Sequence, residues 1–363
     1  MNAPIRTAVV GYGFSGRRIH LPLLQTTDGF EVTAIVARSD DARRIAAEEH
    51  PGVALATSVE ELLSTGPAID LCVVGTPDDA HVRTATPLLR AGIDVVIDKP
   101  LTPTAADGRA LYDLAEQTGA RLTAFQNKRW DADFLTVRAT LESGIIGEPT
   151  RYEASIVRWA PEVGQTWREQ RRLGTLDGRL ADLGSHLVDQ AVALLGPVAS
   201  VYAELDVRRP GARTNDDVFL ALTHQQGVRS HLHMGSVTSH PRPTFALQGL
   251  AGSIETHGLD GQFAALAHGI VPGTDRWREF DSWTSRVLLG TEPSPAPSYV
   301  GDWRTFYREL ADAVHASASA PIGRNVVLHV LDILEAARVS HRRGETVRLD
   351  PLPRQSSSPI LSR

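Results

Sequence analysis

Apolar and polar positions follow two rhythms along the first third of the chain. Short β-branched runs at 5–11, 30–37, 69–77, 94–100 and 121–126 predict five buried strands. Segments of helical period lie between them, starting near Gly16 and covering about 41–49, 81–92 and 105–119, with Gly92 as a C-terminal stop. Strands that alternate with helices of this length pair in parallel through right-handed crossovers.

After Gln126 the rhythm changes. The pattern predicts a helix over 133–143, an alternating strand over 150–159, an irregular loop over 160–180 and an amphipathic helix over 185–196. Five strand-like runs follow without helices between them, at 200–207, 216–224, 228–236, 244–250 and 252–258. Consecutive strands joined by short turns imply an antiparallel sheet. Helices return near 303–316 and 326–342. The expected fold class is α/β. A doubly wound parallel sheet occupies 1–125, and an α+β domain with an open, mostly antiparallel sheet occupies 126–350. The polar Pro/Ser-rich stretch 351–363 reads as a disordered tail.

The loop between the first strand and the first helix reads GYGFSG, with Gly11, Gly13 and Gly16 at G-x-G-x-x-G spacing. After a strand and before a helix, this is a dinucleotide-binding Rossmann signature. Gly11 allows the tight turn, Gly13 lets the backbone approach a pyrophosphate, and Gly16 lets helix and strand pack closely. The end of the second strand selects the cofactor. A carboxylate there accepts from the ribose 2′-OH of NAD, but this strand ends Ala37-Arg38-Ser39. Arg38 offers a planar fork for a phosphate, Ser39 adds a hydroxyl, and Arg43 or Arg44 adds charge from the next helix. The expected cofactor is therefore NADP, with NAD the lesser alternative because Asp40 and Asp41 lie close by.

Length and charge narrow the class. A chain of 363 residues supports about two domains. Its net charge of −6 argues against nucleic acid as a partner. No apolar run reaches the ~18 residues of a membrane span, and no signal peptide precedes the first strand, so a cytoplasmic protein is expected. The single cysteine, Cys72, lies in an apolar run and reads as a buried small hydrophobe.

Three further residues carry candidate chemistry. Lys99 ends the fourth strand, at the sheet edge where open α/β folds bind ligands. Asp182 and His186 stand four apart in DLGSHLVDQ, on one helical face, with Asp189 close to one turn on. Histidine exchanges a proton near neutral pH, and a neighbouring carboxylate orients it or binds a hydroxyl. A metal held by Asp182, His186 and Asp189 is the weaker reading, and no metal is expected. His231 and His233 share one face of a strand without a third ligand and read as sheet-surface residues.

The glycine loop, TPDDAH after the third strand, DKP after the fourth and DLGSH in the second domain together resemble the glucose–fructose oxidoreductase/inositol dehydrogenase (Gfo/Idh/MocA) family, over nearly the whole chain. The family usually has Glu-Lys-Pro where this chain has Asp98-Lys99-Pro100. QNKRWDADFLTV and VRWAPEVGQTWRE are similar to the branch of NADP-dependent scyllo-inositol dehydrogenases. The resemblance implies a cofactor site that also includes Phe14, Ser15, Thr76, Pro77, His81, Asp98 and Lys99, and a cis Lys99–Pro100 bond. It implies hydride exchange between the nicotinamide and a secondary alcohol or ketone of a cyclitol or sugar. His186 then moves the hydroxyl proton, while Lys99 and Asp182 bind the reacting oxygen. Asn127, Arg129, Trp130, Arg158, Trp159 and Trp167 are expected to set polyol specificity, Trp159 and Trp167 being core anchors otherwise. Arg171 and Arg172 would clamp an anionic sugar in the alternative substrate class. Imine or enone reduction, a non-catalytic dinucleotide sensor and a redox-assisted glycosidase are the rival functions. A homodimer or homotetramer formed through the open sheet face is expected.

Overall fold

A computed structural model describes residues 3–164 and 177–352. Trp167, Arg171, Arg172 and all but the start of the 351–363 stretch lie outside the described residues. The chain divides into two compact units, described in turn.

The first unit comprises 1–127, 261–280 and 302–328. Its six-stranded parallel sheet runs β3 (Ala54–Ala56), β2 (Phe30–Val36), β1 (Ile5–Val10), β4 (Leu71–Val74), β5 (Asp94–Asp98) and β6 (Leu122–Phe125). The strand order reverses at β1, which places a ligand crevice at the carboxyl ends of β1 and its neighbours. Five of these strands match the apolar runs. β3 was not expected, because Ala-Leu-Ala is short and lacks β-branched residues. Three helices start alike, on a hydroxyl that accepts from the first turn. Ser39 Oγ accepts from Ala42 N (3.3 Å) for α2 (Asp40–Glu49), and Ser58 Oγ from Glu61 N (3.2 Å) for α3 (Val59–Thr65). Thr104 Oγ1 accepts from Asp107 N (3.1 Å) for α5 (Ala105–Thr118). The remaining helices here are α1 (Leu21–Gln25), entered through a π-helical turn at Ser15–His20, and α4 (His81–Arg90).

Two later segments extend this unit beyond the 1–125 expected of it, for an aromatic reason. Phe306 and Tyr307, on α9 (Arg304–His315), pack on Phe125 of β6 with ring centroids 5.0 and 5.7 Å apart. Both are fully buried. The short helix α8 (Gln262–Ala267) is tied in by Trp303 N, which donates to Gln262 Oε1 at 2.7 Å.

The second unit comprises 128–260, 281–301 and 329–363. Its nine-stranded sheet runs β14 (Glu292–Ser294), β13 (Thr284–Leu289), β12 (Gly252–His257), β11 (Phe245–Gly249), β7 (Pro149–Val157), β10 (Arg229–Gly235), β9 (Asp217–His224), β8 (Val198–Asp206) and β15 (Val347–Arg348). Every pairing is antiparallel except β10 with β7. Along β9, Val218, Leu220, Leu222 and His224 are buried and the intervening residues are partly exposed, which is the period-2 pattern of a half-buried strand. On the other face Phe219 packs against His231 and His233, confirming these two as sheet-surface residues.

The helix α7 (Ser185–Leu195) departs from the expected amphipathic form, being buried on nearly every side. Two of its polar residues, Asp189 and Gln190, bond to the 128–130 segment. Asp189 accepts twice from Arg129, both at 2.7 Å, and Gln190 Nε2 donates to Lys128 O at 2.9 Å.

The start of α6 (Ala132–Glu142) holds a buried acidic group. Lys128 Nζ donates to Asp131 Oδ2 (2.7 Å), Ala132 N to Asp260 Oδ2 (2.8 Å), and Phe134 N to Asp133 Oδ1 (2.8 Å). Burial, helped by the carboxylates of Asp131 and Asp260 and opposed by Lys128, pushes the Asp133 carboxyl well above its usual value. A pKa raised in the folded state contributes stability below the unfolded value, near 3.9, and loses it as pH rises through the folded value. Asp133→Asn keeps the acceptor for Phe134 N and carries no charge. Relative to the parent, the variant is therefore expected to gain stability as pH rises from about 4. Urea melts at pH 4, 6 and 8 check this, and a difference that stays flat or reverses sign contradicts it.

Candidate active site

The glycine loop has its expected geometry. Gly11 sits at φ +100°, and a Cβ there would lie 2.9 Å from the Gly75 carbonyl oxygen. A Cβ on Gly16 would lie 1.8 Å from the Gly11 carbonyl oxygen, so no side chain fits. A Cβ on Gly13 would meet nothing within 4 Å, so this glycine faces open space. The three roles thus separate into turn, approach and packing.

A groove of 610 Å³ opens beside the loop. Its wall includes Gly11, Gly13, Ala37, Arg38, Ser39, Thr76 and Pro77 from the expected cofactor residues, together with Val59, Ala80, Arg83 and Thr84. The buried Ala37 has no acceptor side chain to offer a ribose. Arg38 is exposed, and its guanidinium makes no ion pair or hydrogen bond among the described residues. Arg43 does not share that freedom. It donates to the carbonyls of Ala37 and Arg38, both at 2.7 Å, and pairs with Asp40. Arg43, expected to add charge near the cofactor, is thus held to the turn that presents Arg38. Ser39 caps α2, and Asp40 and Asp41 fill that helix's first turn, where negative charge suits the dipole. These residues fit a dinucleotide: an uncompensated cation at the ribose end and a loop whose middle glycine leaves room for a pyrophosphate.

At the end of β5 the Lys99–Pro100 peptide bond is cis. Asp98 accepts from Lys99 N (2.8 Å) and from Ser15 Oγ (2.5 Å), which ties the glycine loop to the base of the lysine. The imidazole of the fully buried His20 lies 4.0 Å from the same carboxylate, and its Nδ1 is 2.7 Å from the Tyr307 hydroxyl. Burial pushes the Asp98 carboxyl up, but His20, Lys99 and Ser15 outweigh it and hold the group below its usual range. His81 braces the same region from α4. Its Nε2 donates to Thr76 O (2.9 Å), while Nδ1 faces the carbonyls of Pro100 and Leu101 at 3.1 and 3.2 Å. His81 and Asp98, expected at the cofactor, thus join the loops on which the cofactor residues sit.

In the second unit Asp182 lies in a π-helical turn, Leu180–Gly184, that continues into α7 with the buried His186. The spacing of four keeps both near one face of a continuous helix. Arg179, which was not among the expected site residues, approaches Asp182 at 3.6 Å and donates from Nε to Ser236 Oγ at 2.8 Å. Asp189 faces Arg129 instead of His186, and no metal-binding group of His, Cys, Asp or Glu occurs among the described residues. Of the expected specificity residues, Arg129 is committed to Asp189, and Asn127 and Trp130 are buried. Arg158 is exposed, as is Trp159 at 62%, which removes Trp159 as a core anchor.

Comparison with known proteins agrees with this geometry. Residues 5–126 match the family model for an oxidoreductase family with an NAD-binding Rossmann fold, and 134–255 match the Gfo/Idh/MocA C-terminal domain. The chain belongs to the Gfo/Idh/MocA family. A scyllo-inositol 2-dehydrogenase (NADP(+)), IolW of Bacillus subtilis, is 32% identical over 95% of this chain and 96% of that protein. A D-apiose dehydrogenase of Paraburkholderia graminis is 27% identical over 95% and 90%. The solved structure of the YPO2259 protein from Yersinia pestis superposes with a TM-score of 0.89 at 29% identity, covering 97% of this chain and 99% of that one. The chain is an NAD(P)-dependent dehydrogenase of this family. No helix among the described residues is long and apolar enough to cross a membrane.

Proposed function

We propose that the chain is an NADP(H)-dependent dehydrogenase of a cyclitol or sugar, acting between a secondary alcohol and its ketone. The observation that carries the cofactor choice is the strand end with Ala37 where a ribose-binding carboxylate would stand, beside the unpaired guanidinium of Arg38. The relatives named as dehydrogenases of scyllo-inositol and D-apiose support the substrate class.

When bound, the nicotinamide supplies the hydride exchange. The chain supplies the rest. Gly11, Gly13 and Gly16 admit the pyrophosphate, and Arg38 holds the 2′-phosphate. In this proposal His186 takes the hydroxyl proton during oxidation and returns it during reduction. Lys99 and Asp182 hold the reacting oxygen or its neighbour, with Arg179 placing a positive charge beside Asp182. The exposed Trp159 offers an apolar face to a polyol ring.

NADP⁺ reduction over a panel of inositols and aldoses, and NADPH oxidation over their keto forms, tests the activity. Turnover of acidic sugars alone would move the substrate to the anionic class. For the cofactor, Arg38→Ala is expected to weaken NADPH at least about tenfold and to leave NADH nearly unchanged. Truncating one partner of a desolvated charge pair costs ~2–5 kcal/mol, and an exposed phosphate lies at the low end. Titration of both dinucleotides onto the parent and variant checks this, and tighter binding of NADH than NADPH by the parent would end the NADP assignment.

A further inference from the structure

Arg83 is a second cation in the groove that the mechanism above leaves unused. It projects from the first turn of α4, is exposed, and makes no ion pair or hydrogen bond among the described residues. It lines the same groove as Arg38, but from the opposite side of β1. Arg38 follows β2 and Arg83 follows β4, strands that flank β1 on either hand. Two strand spacings separate those elements, about 10 Å. The lining that the two arginines share includes an apolar set, Val36, Ala37, Ala42, Val59 and Ala80, beside the polar Thr57, Ser58, Glu60 and Thr84. A phosphate has no use for the apolar set. A flat, uncharged ring does, and a guanidinium is the side chain that lies over such a ring by cation–π and planar stacking.

We infer that Arg83 stacks on the adenine of the bound dinucleotide, against the apolar wall around Ala80, and so contributes affinity without reading the 2′-phosphate. This inference rests on the dinucleotide reading of the groove and divides its two free arginines by task. Arg38 discriminates between the two cofactors, and Arg83 holds what they share.

The division predicts different patterns of loss. In Arg83→Ala, NADPH and NADH are both expected to weaken by the same factor, about five- to thirtyfold, between the strength of an exposed and of a desolvated cation–π contact. Arg83→Tyr, which keeps a flat stacking surface and drops the charge, is expected to recover most of that loss for both. Reduced nicotinamide mononucleotide, which lacks adenine, should bind parent and Arg83→Ala alike. The substitutions sit on an exposed helical position, and circular dichroism confirms that each variant is folded. Dissociation constants by nicotinamide fluorescence read every arm. Loss confined to NADPH would overturn the inference by making Arg83 a second phosphate ligand, and so would a loss below about twofold in both cofactors. A parent protein that bound neither dinucleotide would remove the groove reading itself, an outcome distinct from either of these.

Discussion

Replacing His186 with alanine is expected to lower turnover by about 10²–10⁴-fold and to leave the NADPH dissociation constant near that of the parent, because a positioned group that moves a proton contributes that much to rate. Lys99→Ala is expected to lower turnover by a similar factor for the loss of its proposed contact with the reacting oxygen. The two losses should differ in character. His186 lies on a buried helix of the second unit, where removing the ring takes away the group proposed to accept the proton. Lys99 stands at the end of β5, on a backbone fixed by Asp98 and Ser15, so its removal takes away a cation and leaves the loop intact. Turnover on the substrate that the panel identifies, together with fluorescence titration of NADPH, measures both. A His186→Ala variant that kept more than about a tenth of the parent rate would withdraw the proton-transfer role.

Much of this architecture is legible in the sequence because it rests on local rules. In the first sheet β1, β4 and β5 are β-branched runs closed by Gly, Pro or charged residues, and the α2 and α5 helices begin on Ser39 and Thr104. The glycine loop is legible because Gly11 and Gly16 answer backbone constraints that another residue cannot meet, while Gly13 leaves open space beside them. What escapes is what depends on distant partners. Nothing near Phe306 and Tyr307 says that their ring partner is Phe125, some 180 residues earlier, so the packing of this late segment on the first sheet is not legible locally. Arg43, Arg129 and Arg38 look alike as polar positions near candidate sites. Arg43 is occupied by carbonyls six and five residues back, Arg129 by a carboxylate sixty residues on, and Arg38 by neither. A signal for Arg179 was present, since its spacing of three from Asp182 on a helix predicts contact. Arg83 gave no such signal, because its significance lies in a groove that only the strand order creates.

The Arg129–Asp189 pair gives the second large expectation. Asp189 is buried at 2% exposure and receives both Nε and Nη2 of Arg129 in a two-pronged geometry. Asp189→Ala takes from a largely buried guanidinium the carboxylate that engages two of its nitrogens, and breaking a buried pair in this way costs ~3–5 kcal/mol. Replacing both partners with apolar residues of similar volume, Arg129→Met with Asp189→Leu, removes both charges and is expected to return most of that stability. Urea unfolding at constant slope measures the single and double variants. A loss below about 1 kcal/mol in Asp189→Ala would place the pair with exposed ion pairs, which hold little together. The double variant also decides what Arg129 is for. If its guanidinium exists to hold the 128–130 segment against α7, the stable double variant should keep the parent's KM for the substrate that the panel identifies. If Arg129 binds that substrate as well, the double variant should fold normally and show a raised KM, which stability measurements alone would never reveal.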